Sequence, residues 1–303
     1  MITFFLKRLV VMCMTMLALF SFGEQTWADS CAGHDFPRIA AEVQQADTVR
    51  VMSFNIRCAD VNGVQVKDRE TIAVRQILEV MPDVLGVQEA TPEWMRVLDK
   101  KLKLYDWVGV NREKGGSPFE TGESCPVFYL KTRYTLADSG NFWLSDTPDE
   151  PSFGPGAACK RICTWAKLTD RRTGETFLHI NTHFDHVSKE ARAAAAEIVT
   201  QFIAQSCAGF PVVFTADMNA RSGETAYRQM TAQLSDACVC AADAVSFGTF
   251  HACKPETHAD DIIDYILCSA DTDARVYRTV TKGVDDRFTS DHFPIYADLI
   301  FRA

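Results

Sequence analysis

Phe210-Pro-Val-Val-Phe-Thr-Ala-Asp217-Met-Asn219 is an apolar run that ends in a carboxylate and, two residues on, a carboxamide. A short apolar run without polar alternation reads as a strand buried on both faces. An unpaired carboxylate at its end is costly there, so Asp217 needs a partner or a task. Side chains at i and i+2 of a strand point the same way, which places Asp217 and Asn219 on one face.

The same pattern recurs outward from this segment. Val49-Arg-Val-Met-Ser-Phe-Asn55, Asp83-Val-Leu-Gly-Val-Gln-Glu89 and Phe177-Leu-His-Ile-Asn181-Thr-His183-Phe-Asp185 also pass from strand-like residues into polar ones. Ile-Asp264-Tyr and Ser290-Asp291-His292 follow later in the chain. Asn181, His183 and Asp185 share a face by the same two-residue rule. Carboxylates, carboxamides and imidazoles gathered at strand ends are oxygen ligands for a hard cation and bases for hydrolysis.

Helices alternate with these strands. Ile72, Ile77, Leu78 and Met81 recur at helical spacing over Asp68 to Met81, and Pro82 ends the run. Thr91-Pro92 reads as an N-cap with proline in the first turn, opening a helix to about Leu104. Ser188 caps an Ala-rich helix to about Gln205, and a shorter helix spans Thr225 to Leu234. Tyr105 to Val110 and Val127 to Leu130 read as strands around a Gly-rich loop. Short strands near Thr135 and Phe142 to Leu144, a hairpin turning at Asp170 to Gly174, a Cys-bearing loop from Asp236 to Asp261 and three late strands complete the pattern. The hairpins exclude a purely parallel sheet.

The N-terminus carries Lys7 and Arg8, an apolar stretch from Leu9 to Phe22, and Thr26-Trp-Ala28 as a cleavage pattern. Residues 1–28 are read as a secretory signal peptide, because an anchoring helix needs about 20 apolar residues. Residues 29–47 are read as a tail and 48–303 as a single domain, with no transmembrane segment expected after cleavage. Export to the periplasm or exterior is expected, with lipoprotein anchoring at Cys31 as the alternative. Of 11 cysteines only Cys13 lies in the leader. One to three disulfides are favoured over structural zinc, with Cys238, Cys240 and Cys253 the leading candidates and Cys268 a buried thiol. The net charge of −9 argues against a broad polyanion-binding surface.

Taken in order from about Thr48 to Phe301, these segments resemble the endonuclease/exonuclease/phosphatase superfamily, with its deoxyribonuclease I-like fold, and its exported bacterial-type branch. The resemblance implies a four-layer α/β/β/α sandwich: two packed mixed β-sheets flanked by helices. It implies Asn55, Glu89 and Asp291 as metal ligands, and Mg²⁺, with Mn²⁺ able to substitute. Asp217 becomes the base on the attacking water, Asn219 and His183 contact phosphate, and Asp264 holds His292, which stabilises transition-state charge. Asn181 and Arg161 are carried over as substrate-side residues, as is Asp185, which either supports a ligand or caps the helix beginning near Ser188. Glu123 and His251 lie in loops expected to face the cleft, as further substrate contacts. The expected activity is an exported, monomeric Mg²⁺-dependent phosphoesterase acting on a small molecule, lipid headgroup or sugar phosphate. The alternatives are a secreted nuclease and a non-catalytic binding module. The loop after Asn55, Arg57-Cys-Ala-Asp-Val-Asn-Gly-Val, is shorter than in that branch.

Overall fold

The computed structural model describes residues 47–61, 63–206, 209–254, 261–281 and 288–302. The leader, the tail, Cys31 and Cys207 lie outside the described residues. Strands β1 (Thr48–Asn55), β2 (Val84–Gln88), β3 (Tyr105–Val108), β4 (Val127–Leu130), β5 (Tyr134–Trp143), β6 (Ile162–Asp170), β7 (Thr176–His183) and β8 (Val212–Asp217) occupy the first two thirds of the chain. Among them run helices α1 (Val66–Val80), α2 (Pro92–Lys101) and α3 (Lys189–Ser206). Then come α4 (Thr225–Thr231), β9 (Ser235–Asp236), α5 (Ala237–Cys240), β10 (Asp243–Val245), β11 (Asp264–Cys268), β12 (Thr272–Thr279) and β13 (Ile295–Phe301). The expected Cys-bearing loop therefore contains three short elements, too brief to show a period. The two short strands expected near Thr135 and Phe142 are one edge strand, β5. An edge tolerates the polar Asp138-Ser139-Gly140 stretch and the bulge beside it that broke the pattern.

One sheet has seven strands in the order β10-β12-β13-β1-β2-β4-β3, and the other six in the order β5-β6-β7-β8-β11-β9. Both are mixed: β1 and β2 pair in parallel, as do β7 and β8, while β13 and β11 join antiparallel. Alternation along each strand sorts the residues into three cores. Met52, Phe54, Leu85 and Val87 pack outward on α1 and α2, and Leu178, Ile180, Phe214 and Ala216 pack outward on α3. Val49, Val51 and Val84 of the first sheet meet Phe177, Val213 and Ile266 of the second between the sheets. The result is the four-layer sandwich expected from sequence.

The inner faces change character along their length. After Val49 and Val51, β1 places Ser53 and Asn55 inward; after Val213, β8 places Thr215 and Asp217 inward. β7 brings His179, Asn181 and His183 in the same way, all buried. Register then aligns the ends: Asn55 lies beside Gln88, His183 beside Asp217, and Asp264 beside Asp217. One end of the sandwich thus has an apolar filling and the other a polar one.

The expected disulfides are absent among the described residues. Cys58, Cys125, Cys159, Cys238, Cys240, Cys253 and Cys268 are free thiols, Cys268 fully buried as expected. No helix among the described residues is long and apolar enough to cross a membrane.

Candidate active site

Asn55 and Glu89 meet across the β1–β2 ends, with Asn55 Nδ2 donating to Glu89 Oε1 at 3.0 Å and to Asp217 Oδ2 at 2.8 Å. Glu89 is held in the left-handed region, φ 59°, a conformation that costs a non-glycine residue energy and concentrates at functional sites. Its other oxygen accepts from the Cys58 N–H at 2.7 Å. Burial pushes its pKa up, but that N–H and Asn55 outweigh it and hold Glu89 below the usual carboxylate range.

Asp217 and Asp264 flank His292. His292 Nδ1 lies 2.8 Å from Asp264 Oδ2, and its Nε2 lies 3.8 Å from Asp217 Oδ2. Burial alone would discharge this imidazole, yet the two carboxylates hold its pKa up to about 10. Asp217 is pushed up to about 7 by burial and by Asp264, against the pull of His292, the Asn219 N–H and Asn55. A cationic histidine beside a carboxylate poised near neutrality separates an acid role from a base role. By distance alone Asp217, Asp264 and His292 could hold an ion, but a His292 cation already occupies that space.

Asn219, also left-handed at φ 48°, donates through Nδ2 to Phe184 O at 3.1 Å and approaches His183 Nε2 to 2.9 Å. An amide N–H fixed this way favours His183 Nε2 as acceptor and the ring proton on Nδ1, with Asp217 Oδ2 a competing neighbour 3.3 Å from Nε2. That Nδ1 is buried without a partner. Burial, then Arg161 and Arg112, keep His183 neutral. Arg161 is 5% exposed and sends Nη2 to His186 Nδ1 at 3.1 Å, while its Nε and Nη1 have no partner. Buried donors without acceptors are costly, and these donors suit a phosphate.

Four residues expected on the substrate side are engaged within the protein, Asp185 in the capping role that was one of its two readings. Asn181 donates to Val87 O and Pro126 O and accepts from Gln88 and Thr215, which uses its amide fully and bolts one sheet to the other. Asp185 accepts from the N–H groups of Ala158, Val187 and Ser188, so it caps the approach to α3. His251 is fully buried, its Nδ1 accepting from the Cys253 N–H and its ring against Phe288 and Phe293. Glu123 does lie beside Glu89 and Cys58, but both its oxygens are held by Arg112 at 2.7 and 2.8 Å.

Sequence reasoning also missed two arginines. Arg57, left-handed at φ 63°, points Nη1 to Asp291 Oδ2 at 3.4 Å. Fully buried Arg69 on α1 donates to the carbonyls of Ile56, Arg57, Ala59 and Thr289, clamping the loops that carry Cys58 and Ser290. Ser290 Oγ in turn donates to Asn55 O at 2.7 Å and accepts from the His292 N–H at 3.1 Å.

A family model described as the endonuclease/exonuclease/phosphatase family matches residues 52–292. The chain belongs to that endonuclease/exonuclease/phosphatase family. Members of this family hydrolyse phosphoester bonds. A Bacteroides vulgatus family member is 32% identical, with a TM-score of 0.78, covering 84% of this chain and 99% of that one. A Bacteroides thetaiotaomicron mannosyl-6-phosphatase is 28% identical, with a TM-score of 0.76, covering 84% of this chain and 100% of that one. The human nocturnin catalytic domain, 21% identical over 85% of this chain and 95% of its own with a TM-score of 0.65, shares the fold. No protein of curated function matches the chain. Family members generally use divalent metals. Around Glu89 the oxygen donors are the Glu89 and Asp291 carboxylates and Asn55 Oδ1, the last accepting from the Arg57 N–H at 3.1 Å, with the Arg57 guanidinium beside both carboxylates.

Proposed function

We propose that this chain is an exported Mg²⁺-dependent phosphoesterase acting on a small phosphate ester, with sugar phosphates as the first class to test. The observation that carries this reading is the Asp264–His292–Asp217 line beside Asn55 and Glu89. Substrate class rests on the likeness to the mannosyl-6-phosphatase and on the acidic net charge of −9, which suits nucleic acid poorly. Asn55, Glu89 and Asp291 would hold the cation, whose chemistry is to neutralise phosphate charge and polarise the P–O bond.

The remaining steps belong to the chain. Asp217, poised near neutrality, accepts the proton of the attacking water. Arg161 binds non-bridging oxygens through its unpartnered Nε and Nη1, and neutral His183 donates from Nδ1. His292, cationic between two carboxylates, stabilises the charge that grows in the transition state. Asn219 fixes the His183 ring and, through its N–H, Asp217 at 2.9 Å.

The test is hydrolysis of sugar phosphates, nucleotides, inositol phosphates, sphingomyelin and DNA by the mature chain with Mg²⁺ or Mn²⁺. Asp217→Asn and excess chelator should each abolish turnover. Undiminished activity under chelation, or DNA as the preferred substrate, would sink the reading.

A further inference from the structure

Cys159, Asp185 and His186 offer a thiol sulfur, a carboxylate oxygen and an imidazole nitrogen that lie within 4.8 Å of one another. They come from two segments, the loop before β6 and the turn after β7, so no Cys-x-x-Cys spacing announces them. Cys159 Sγ already points its proton at Asp185 Oδ2 over 4.0 Å. Tetrahedral zinc sets its ligand atoms roughly 3.5 Å apart, so a small contraction suffices. Asp185 is rigidly presented, because three backbone N–H groups hold its two oxygens. Against the upward push of burial, those bonds and Arg161 keep it ionised.

We infer that Cys159, Asp185 and His186 form a three-ligand site for a thiophilic divalent cation of the Zn²⁺ class, separate from Asn55, Glu89 and Asp291. Sulfur and imidazole select against Mg²⁺, which keeps to oxygen. A half-buried thiol beside an exposed histidine leaves the fourth position to water. Binding breaks the Cys159 S–H bond, forms an S–metal bond and releases the proton to solvent.

The site touches the phosphate side through Arg161. Arginine only donates, so His186 Nδ1 is the acceptor of Nη2, and the neutral ring carries its proton on Nε2. A cation on Nδ1 takes the lone pair that Arg161 uses. A cation on Nε2 drives the proton to Nδ1, against the same guanidinium. Either route breaks the Arg161–His186 hydrogen bond, so occupancy releases Arg161. The site itself stands whether or not the proposed phosphoesterase activity is found.

Cobalt titration of the mature chain in excess Mg²⁺ tests this by absorption, because cobalt–thiolate bonds give a near-ultraviolet charge-transfer band. The wild type and Cys58→Ser should both show the band and bind Zn²⁺ in competition with Co²⁺. Cys159→Ser should lose the band while melting as the wild type does without metal, and His186→Ala should weaken Co²⁺ at least about tenfold. The Cys58→Ser control excludes the thiol beside Glu89 and Glu123. A band that survives Cys159→Ser, or vanishes in Cys58→Ser, overturns the assignment, as does a wild type with no band.

Discussion

His292 carries two buried carboxylates, 2.8 Å from Asp264 and 3.8 Å from Asp217. Activity that needs Asp217 ionised and His292 charged should rise through about pH 7 and fall through about pH 10. A pH–kcat/KM profile flat from pH 6 to 9 would contradict that assignment. The same shift is a stability term. The folded value of His292 lies above its ordinary one, so its contribution is complete below about pH 6.5 and is lost as pH climbs toward about 10. At 6% exposure, His292 is buried between its carboxylates, so its removal is not cheap. His292→Ala should cost about 3–5 kcal/mol by stranding Asp264, besides lowering turnover by orders of magnitude. His292→Gln, which can still donate to Asp264, should recover much of the stability and none of the charge. Equal stability of the two variants in urea titrations would refute this. Asp217 was legible because it directly closes an apolar strand, whereas Asp264, which opens β11, and His292, ahead of β13, were reached through the family resemblance. Arg57 and Arg69 were not, since a lone arginine in a loop or on a helix has no pattern to betray what its guanidinium reaches.

At the scale of elements, the two sheets are joined by hydrogen bonds as well as by apolar packing. Asn181 on β7 reaches Val87 O on β2 at 2.8 Å, and Gln88 on β2 reaches back to Asn181 Oδ1 at 2.7 Å. This approach requires a residue without a side chain opposite. A Cβ on Gly86 would lie 2.1 Å from Thr215 Oγ1 and 2.5 Å from Asn181 Oδ1. Gly86→Ala must therefore push the sheets apart or break the network, at a cost of at least about 1–3 kcal/mol. Chemical denaturation would show it, and a loss under about 0.5 kcal/mol, the range of a neutral surface change, would refute it. Asn181 explains a limit of strand periodicity. The two-residue repeat correctly put it on the His183 face, but that face meets the opposing sheet at Asn181 and opens into the site only one pleat later. Asp185 was placed on the same face, yet lies beyond the end of β7, where the turn to α3 takes over its oxygens.

Across the whole molecule, the two ends of the sandwich treat charge differently. At the end away from the site, Arg133 reaches Asp83 at 2.6 Å and Asp170 at 2.7 Å, so two buried carboxylates share one guanidinium and the sheets are tied. At the catalytic end, Glu89, Asp217, Asp264 and Asp291 converge, with His292, the half-exposed Arg57 and the buried Arg69 as cations beside them. That excess of negative charge should be relieved by a divalent ion that binds only the folded chain. At about 100 times its dissociation constant, such an ion adds about 2.7 kcal/mol, or roughly 5–10 °C in Tm for a domain of this size. Glu89→Gln should lose most of this gain. Arg133→Met should melt lower, because it strands Asp83 and leaves Asp170 only Arg172 at 3.7 Å, and yet keep the full Mg²⁺ increment, because distant sites add independently. Calorimetric scans with and without Mg²⁺ at matched ionic strength separate these terms. An equal gain from NaCl alone, or an increment that survives Glu89→Gln, would mean that screening rather than a bound cation resolves the charge at this end.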